Sequence, residues 1–306
     1  MIDIPDALIA TQSTYNGEAG RAFVAALPGM AADFLERWGL RPDGGSLYGV
    51  CALVLPVVRV ADGRRAALKL QPVDEETVGE PVALRLWGEA SAGAVGLLEH
   101  DAATGTMLLE RLDGARALSG VADAREAVRV VAELLAGLTA VRVPAGAGLR
   151  GLGDVAARLV GAAPAVAGLL VDEGERRLVG DCAAAVREVA GEPGDRLLHW
   201  DLHFGNVLAG LGGGGGRSGR WVAIDPKPLV GDAGFELFPA LVDRFDAAEV
   251  GWRFDLLTEV LGLDRARARA WTLGRVLQNA CWGAESGERR LVPEQAEVAR
   301  RLLGRG

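Results

Sequence analysis

A chain of 306 residues, 50% hydrophobic and 24% charged, is long and apolar enough for one large domain or two lobes with a sizeable core. Its formal net charge of −8 argues against a nucleic-acid binder, which carries a basic face, and suits a cationic small-molecule partner. Three well-separated cysteines, Cys51, Cys182 and Cys281, form neither a CxxC pair nor a zinc-spaced cluster, so they read as buried thiols of a reducing compartment. The first twenty residues lack a basic segment followed by an apolar one, and no later run of about 18 apolar residues follows. A signal peptide and a membrane span are therefore not expected, and the expected location is the cytoplasm.

In chain order, residues 15–40 show helical spacing of apolar residues, with an interruption expected at Pro28. Residues 47–71 read as two strands joined by Ala61, Asp62 and Gly63, a hairpin signal. The stretch "EPVALRLWGEA" reads as a short helix closed by Gly88. Residues 93–112 read as strand, turn and strand, the turn lying near Thr104 and Gly105. Beyond Gly114 the chain becomes Ala/Leu-rich and amphipathic, and three helices are expected before residue 192. A short β patch over 197–223 follows. Helices then return in "GFELFPALVDRF", "RFDLLTEVLGL", "DRARARAWTLGRVLQNACWGAE" and "PEQAEVARRLLG". The glycine run at 210–219 has no Gly-Lys-Ser/Thr ending and opens no helix, so it reads as a hairpin tip rather than a phosphate loop. The layout is an α+β chain: a small lobe of mostly antiparallel strands over 1–111, then a larger helical lobe over 112–306, with the seam at 108–114.

The 33 basic residues include only two lysines, Lys69 and Lys227. A compact ammonium and a planar guanidinium are not interchangeable at a phosphate, so both lysines are candidates for such a site. Lys69 also sits in the alternating apolar run "RAALKLQ", where a charge calls for a reason. The second signal is "RLLHWDLHFGNVLAG". Two of the three histidines, His199 and His203, flank Asp201, and Asn206 follows; Asp225 closes the next apolar run. A hairpin would bring Asn206 and Asp225 together as oxygen ligands for a hard divalent cation. Asp201, at the front of the loop, is placed to accept a hydroxyl proton. His-x-Asp-x-x-x-x-Asn, a later strand-borne Asp and an earlier strand Lys, in this order, form the signature of protein-kinase-like phosphotransferases.

The stretches "LLHWDLHFGNVL" and "WVAIDPKPLVGDAGFELFPAL" resemble the aminoglycoside phosphotransferases, in particular the branch of streptomycin 6-kinases and hydroxyurea phosphotransferases. The resemblance extends to "DGRRAALKLQ", "LRLWGE", "TMLLERLDG", "WRFDLLTE" and "WTLGRVLQNACW", and covers about 44–282. It implies a protein-kinase-like bilobal fold with ATP in the cleft. It further implies Asp201 as catalytic base, Asn206 and Asp225 as Mg²⁺ ligands, Lys69 on the α/β-phosphates, and adenine held by backbone atoms from Glu110 to Leu112. The acceptor it implies is a cationic aminoglycoside such as streptomycin. Rival readings are a kinase of the same fold acting on another small hydroxyl compound, hydroxyurea included, and a silent nucleotide-binding module. No nucleic-acid, membrane or protein partner is expected.

Two departures stand out. The usual Asp-Phe-Gly is Asp225-Pro226-Lys227, so Lys227 is either a second charge on the phosphates or a surface lysine. The lid has Gly44, Gly45 and Gly49 rather than G-x-G-x-x-G, leaving backbone amides from Ser46 to Val50 to cover the phosphates. Glu80, at a helix start beside Pro81, is the first choice as partner of Lys69, with Glu76 its rival. His199 and His203 read as residues that orient the loop, Asp232 as a helix cap, and Glu236 as structural. For the acceptor, the polar-aromatic cluster "QNACWGAE" nominates Asn279, Trp282 and Glu285.

Overall fold

The computed structural model describes residues 2–212 and 219–305. It opens on a helix, α1 (Asp6–Arg37), whose Leu27, Ala31 and Phe34 are buried against a sheet. The helix runs through Pro28 and breaks at Gly17 instead, where φ is 54° and ψ −125°. Pro28 faces solvent, so water can satisfy the carbonyl it strands, whereas only a residue without Cβ adopts the Gly17 geometry cheaply.

Six strands follow: β1 (Leu40–Pro42), β2 (Leu47–Tyr48), β3 (Leu53–Arg59), β4 (Arg65–Leu70), and, beyond helix α2 (Glu80–Ala90), β5 (Leu97–Asp101) and β6 (Thr106–Glu110). They form one antiparallel sheet in the order β1-β3-β4-β6-β5, with β2 on β3. The expected β3–β4 hairpin is present, with Val54 opposite Lys69, and Gly63 takes the left-handed conformation its turn demands. The β5–β6 turn at Gly105 is likewise where the sequence places it. One face of the sheet, through Leu53, Leu55, Val57, Leu68 and Leu70, packs on α1. Helix α2 does not stop at Gly88; it runs to Ala90 and ends at Ser91 in the left-handed region. A glycine in a helix is only a weak stop, and the buried Leu84 and Trp87 carry the helix through.

The sheet ends at Glu110, and the next strand, β7 (Leu112–Ala117), already pairs with the following lobe. There α3 (Ala124–Thr139), β8 (Arg150–Gly151), α4 (Leu152–Leu169) and α5 (Glu173–Val189) lead to β9 (Arg196–Leu198), β10 (Val207–Gly210), β11 (Trp221–Ala223) and β12 (Leu229–Gly231). Helices α6 (Phe238–Val242), α7 (Val250–Leu261), α8 (Arg265–Glu285) and α9 (Pro293–Leu302) complete the lobe. The β patch expected over 197–223 divides in two. Strand β9 joins β12 and β8, and β10 joins β11 and β7, because the loop at 199–206 separates β9 from β10 and directs them to different partners. Residues 213–218 of the expected glycine tip lie outside the described residues; its flanks pair as β10 and β11, with Leu208 opposite Val222. The single helix expected over "GFELFPALVDRF" is a 3-10 turn at 233–236 followed by the short α6, with Pro239 at its start.

Helix α4 meets the length and hydropathy criteria of a membrane span, with mean hydropathy 1.3. Its Leu152, Val155, Ala156, Leu159, Ala163 and Val166 are buried in the protein core, which accounts for that apolar face. Cys182 and Cys281 are buried as expected, but Cys51 is only half-buried, since it belongs to the lid turn beside the cleft; all three are free thiols.

Candidate active site

Alternation along β4 turns Leu68 and Leu70 toward α1 and points Lys69 to the opposite face, toward the seam between the lobes. There its ammonium is almost fully buried, at 4% exposure. The Nζ donates to both carboxylate oxygens of Glu80, at 2.7 and 2.8 Å, and to Asp225 Oδ1 at 2.6 Å. Gln71 Nε2 donates to Glu80 Oε2 at 2.7 Å and secures the pair from the other side. Glu80 is therefore the partner of Lys69. The start of α2 is packed under the sheet, whereas Glu76, in the preceding loop, lines the cleft near Arg150 and Lys227, its carboxyl raised by burial. Burial works against a charged Lys69, but Asp225 and Glu80 outweigh it and hold the ammonium above the ordinary lysine range.

Asp225 follows β11 in a left-handed conformation, φ 56°. Its Oδ2 accepts from Lys227 Nζ at 3.1 Å while Oδ1 accepts from Lys69. Burial would raise this carboxyl; the ammoniums of Lys69 and Lys227 reverse the effect and hold it well below the ordinary carboxylate range. Lys227 thus belongs to the cleft and is not a bystander on the surface. The β10–β11 pairing brings the other half of the motif alongside, for Ile224 N–H donates to Asn206 O at 2.9 Å. Asn206 Nδ2 donates to Asp201 O at 2.9 Å, which leaves its amide oxygen as the end that can meet a ligand.

The loop carrying Asp201 is held from behind. His199 is fully buried, donates Nε2–H to Ile224 O at 2.9 Å, and stacks on Trp87 with ring centroids 6.1 Å apart. Burial pulls its pKa down to about 3, so the ring is neutral and its Nδ1 can accept the Asp201 N–H at 3.4 Å. Trp200 has φ 68°, a left-handed backbone on a bulky residue, stabilised by its N–H bond to Glu236 Oε1 at 2.7 Å and its Nε1–H bond to Gln278 Oε1 at 3.0 Å. His203 Nδ1 accepts from Gly205 N–H at 3.1 Å, and Phe204 N–H donates to Asp243 Oδ2 at 2.5 Å. Asp232 caps the 3-10 turn through Gly234 N–H and pairs with Arg267. Asp201 itself faces the cleft, its carboxyl raised by burial.

A cleft of about 860 Å³ unites these groups. Its walls include Lys69, Asp201, Asn206, Asp225, Lys227, Ser46, Glu110 and Leu112. The Ser46 hydroxyl is turned to Asp3 O at 2.5 Å, and the Glu110 N–H is taken by Gly96 O at 2.8 Å. Asn279, Trp282 and Glu285 are not among the cleft-lining residues. Trp282 nevertheless reaches the back of the loop, its ring centroid 6.0 Å from that of Trp200. Beside both rings lies Arg275, buried, donating Nη1 to Gln278 Oε1 at 2.5 Å, its guanidinium 5.6 Å from the Trp200 ring and 5.8 Å from the Trp282 ring. Arg150 covers Trp200 from another direction at 4.7 Å. Sequence reasoning missed Gln71, Trp200, Arg150 and Arg275. Arg275 carried a usable signal, a charge inside the apolar run "TLGRVL", the argument that found Lys69.

Among the described residues no cluster of three His, Cys, Asp or Glu side chains frames a metal. The carboxylate of Asp225 and the amide oxygen of Asn206 are hard donors at the mouth of a cleft large enough for phosphates. That set fits Mg²⁺, which takes few protein ligands when phosphates and waters supply the rest. Asp225, already met by two ammoniums, is visibly a seat for positive charge.

The family model for aminoglycoside/hydroxyurea antibiotic resistance kinases matches residues 37–287. The chain belongs to that family. Within this kinase family, the chain is 62% identical to the hydroxyurea phosphotransferase of Kitasatospora aureofaciens, an alignment covering all of this chain and 87% of that protein. It is 50% identical to the streptomycin 6-kinase of Streptomyces glaucescens, covering 99% of this chain and 98% of that protein. Among solved structures, the aminoglycoside phosphotransferase APH(4)-Ia superposes with TM-score 0.61 at 14% identity, covering 92% of this chain and 99% of that one. A choline/ethanolamine kinase family protein from Mesorhizobium loti superposes at 0.59 with 16% identity, covering 91% and 92%. At such low identity the likeness concerns the fold: this kinase has the bilobal architecture, sheet lobe first and helical lobe second, that its motif anticipates.

Proposed function

We propose that the chain is an ATP- and Mg²⁺-dependent O-phosphotransferase that phosphorylates a hydroxyl of streptomycin or a related aminoglycoside, with the nucleotide carried by residues 1–111 and the acceptor by residues 112–306. The observation that carries this reading is the convergence of Lys69, Asp225, Asn206 and Asp201 on one cleft, with Lys69 pinned by Glu80. Lys69, oriented by Glu80, reaches the α/β-phosphates, and Lys227 adds a second positive charge. Asn206 and Asp225 would hold Mg²⁺, which when bound neutralises charge on the phosphates. The adenine edge meets backbone groups of 110–112 other than the Glu110 N–H, which is already committed.

Asp201 receives the acceptor hydroxyl. As the bond from that oxygen to the γ-phosphorus forms, the bond to the bridging oxygen of ADP breaks, and the hydroxyl proton passes to Asp201. A carboxyl raised by burial is a better proton acceptor than an exposed one. Neutral, buried His199 holds the loop and needs no proton of its own. Support for nucleotide and aminoglycoside together comes from the fold neighbour APH(4)-Ia, a mutant of which was solved as a ternary complex with ADP and hygromycin B. Trp282, beside Trp200 at the back of the catalytic loop, is the strongest of the three acceptor-side nominees, and Asn279 and Glu285 extend that face of α8.

A second acceptor, hydroxyurea, is favoured by the 62% identity to a hydroxyurea phosphotransferase over the whole of this chain. The test is ADP release by the purified chain with streptomycin, other aminoglycosides and hydroxyurea in turn, with ³¹P NMR of the product. ATP turnover on the aminoglycosides carries the first reading, and turnover on hydroxyurea alone replaces it with the second. No turnover on any acceptor, with ATP still bound, would leave a silent nucleotide-binding module.

A further inference from the structure

The lid over the cleft carries Gly44, Gly45 and Gly49 but not the G-x-G-x-x-G spacing that lets a backbone wrap phosphates, and it is tied down from the other end of the sequence. At Gly17 the first helix folds back on itself. A Cβ on Gly20 would come within 2.1 Å of the Gln12 carbonyl oxygen, whereas eight residues along a straight helix span about 12 Å. The kink thus detaches an arm, residues 6–16, from the rest of α1. Leu8 anchors the arm in the core of the small lobe, with Ile2 and Ile4 packed beside it.

The arm's polar side chains are spent on the lid. Gln12, with no exposed surface, donates Nε2 to Cys51 O at 2.7 Å. Asn16 donates Nδ2 to Gln12 Oε1 at 2.7 Å and lies 3.8 Å from Cys51 Sγ. Ahead of the arm, Asp3 O accepts from Ser46 Oγ at 2.5 Å, so the lid segment is tied at both ends. Tyr15 and Asn16 line the same cleft as Lys69, Asp201 and Asp225. The tied turn, Gly49 to Ala52, lines the same cleft as Lys69, Asp225 and Lys227, and the charges of Lys227 and Asp225 reach the Cys51 thiol. The family model begins only at residue 37, after the arm.

We propose that residues 6–16 are a nucleotide-lid clamp: Gln12 and Asn16 hold the turn at 49–52 over the phosphates of a bound nucleoside triphosphate, a placement that a lid without the G-x-G-x-x-G spacing does not secure by its own backbone. Gln12 and Asn16 are positioning residues, acting through the lid. The proposal rests on the reading that this cleft takes a nucleotide. It locates part of the nucleotide affinity outside the kinase motifs and predicts no effect on the acceptor.

The test uses the full chain and three readouts: binding of a fluorescent ATP analogue, separate KM values for ATP and acceptor, and the rate at which a thiol reagent labels Cys51, the most exposed of the three thiols. Asn16→Ala lies on the surface and leaves the core intact; Gln12→Met keeps the buried volume and removes the donor. Both variants are expected to weaken analogue binding and raise the ATP KM by up to about tenfold, the upper end of what one lost hydrogen bond is worth, with the acceptor KM within about twofold of wild type. Cys51 labelling should be faster in both variants, and ATP should slow it in the wild type. Wild type that binds the analogue while both variants bind it equally well overturns the clamp and leaves the nucleotide reading standing. Wild type that binds no analogue overturns both. A matched rise in the ATP and acceptor KM values marks a general loss of structure and also refutes the clamp.

Discussion

Glu236 offers the sharpest test of how the catalytic loop is held. Its side chain has no exposed surface, its Oε1 accepts the Trp200 N–H at 2.7 Å, and its Oε2 has no hydrogen-bond partner. Burial pushes its pKa up to about 7 from the ordinary 4.5. An acid whose pKa is higher folded than unfolded takes up a proton on folding between those two values, so stability falls as pH rises through that window and is level above it. The gap is worth about 3 kcal/mol when fully developed, at about 1.4 kcal/mol per pH unit. Glu236→Gln keeps an acceptor for Trp200 and cannot ionise. Urea unfolding followed by tryptophan fluorescence should therefore show the variant gaining about 3 kcal/mol relative to wild type between about pH 4.5 and pH 8. Other titrating groups are common to both proteins and cancel in the difference. A variant-minus-wild-type difference that stays constant across this range would refute the assignment of Glu236 as a buried, proton-binding support. Glu236→Ala, which leaves the Trp200 N–H without its acceptor beside Asp201, should lower kcat where Glu236→Gln does not.

Asp201→Ala should lower kcat by about 10²- to 10⁴-fold, the usual worth of a positioned base, with an unchanged thermal midpoint; near-normal turnover would remove Asp201 from the mechanism. Glu80→Ala leaves the buried Lys69 with Asp225 alone and strips Gln71 of its acceptor, so it should cost about 3–5 kcal/mol of stability in urea unfolding, whereas Glu76→Ala should cost little. Chelation with EDTA should abolish turnover and Mg²⁺ restore it, and Asp225→Asn, which removes the one formal negative charge of the seat by turning its carboxylate into a neutral amide, should raise the Mg²⁺ concentration needed for half-maximal rate. An unchanged Mg²⁺ requirement in Asp225→Asn would point to other ligands.

Much of this molecule was legible locally. Period-two alternation at 53–70 with Asp62 and Gly63 between its halves specified the β3–β4 hairpin and the face on which Lys69 stands. The spacing from His199 to Asp225 specified a loop and hairpin that gather Asp201, Asn206 and Asp225. Other features depended on what packs where. Pro28 is a stronger breaker than Gly17 by propensity, but its exposed position made it harmless and the fold-back over the lid made Gly17 the hinge. Sequence preferred Glu80 to Glu76 for its place at a helix start, but only the packing of α2 beneath the sheet decided between them.

Local pattern was enough for most elements, the kinase-type motif and the residues able to carry phosphoryl chemistry, because periodicity, turn chemistry and short spacings act within a few residues. It took the packed molecule to show that Lys69 meets Asp225 across 156 residues, that Arg275 and Trp282 back Trp200, and that the N-terminal arm ties down the lid. Such contacts depend on which buried surfaces and charges find one another when the lobes close, and no local pattern encodes that choice.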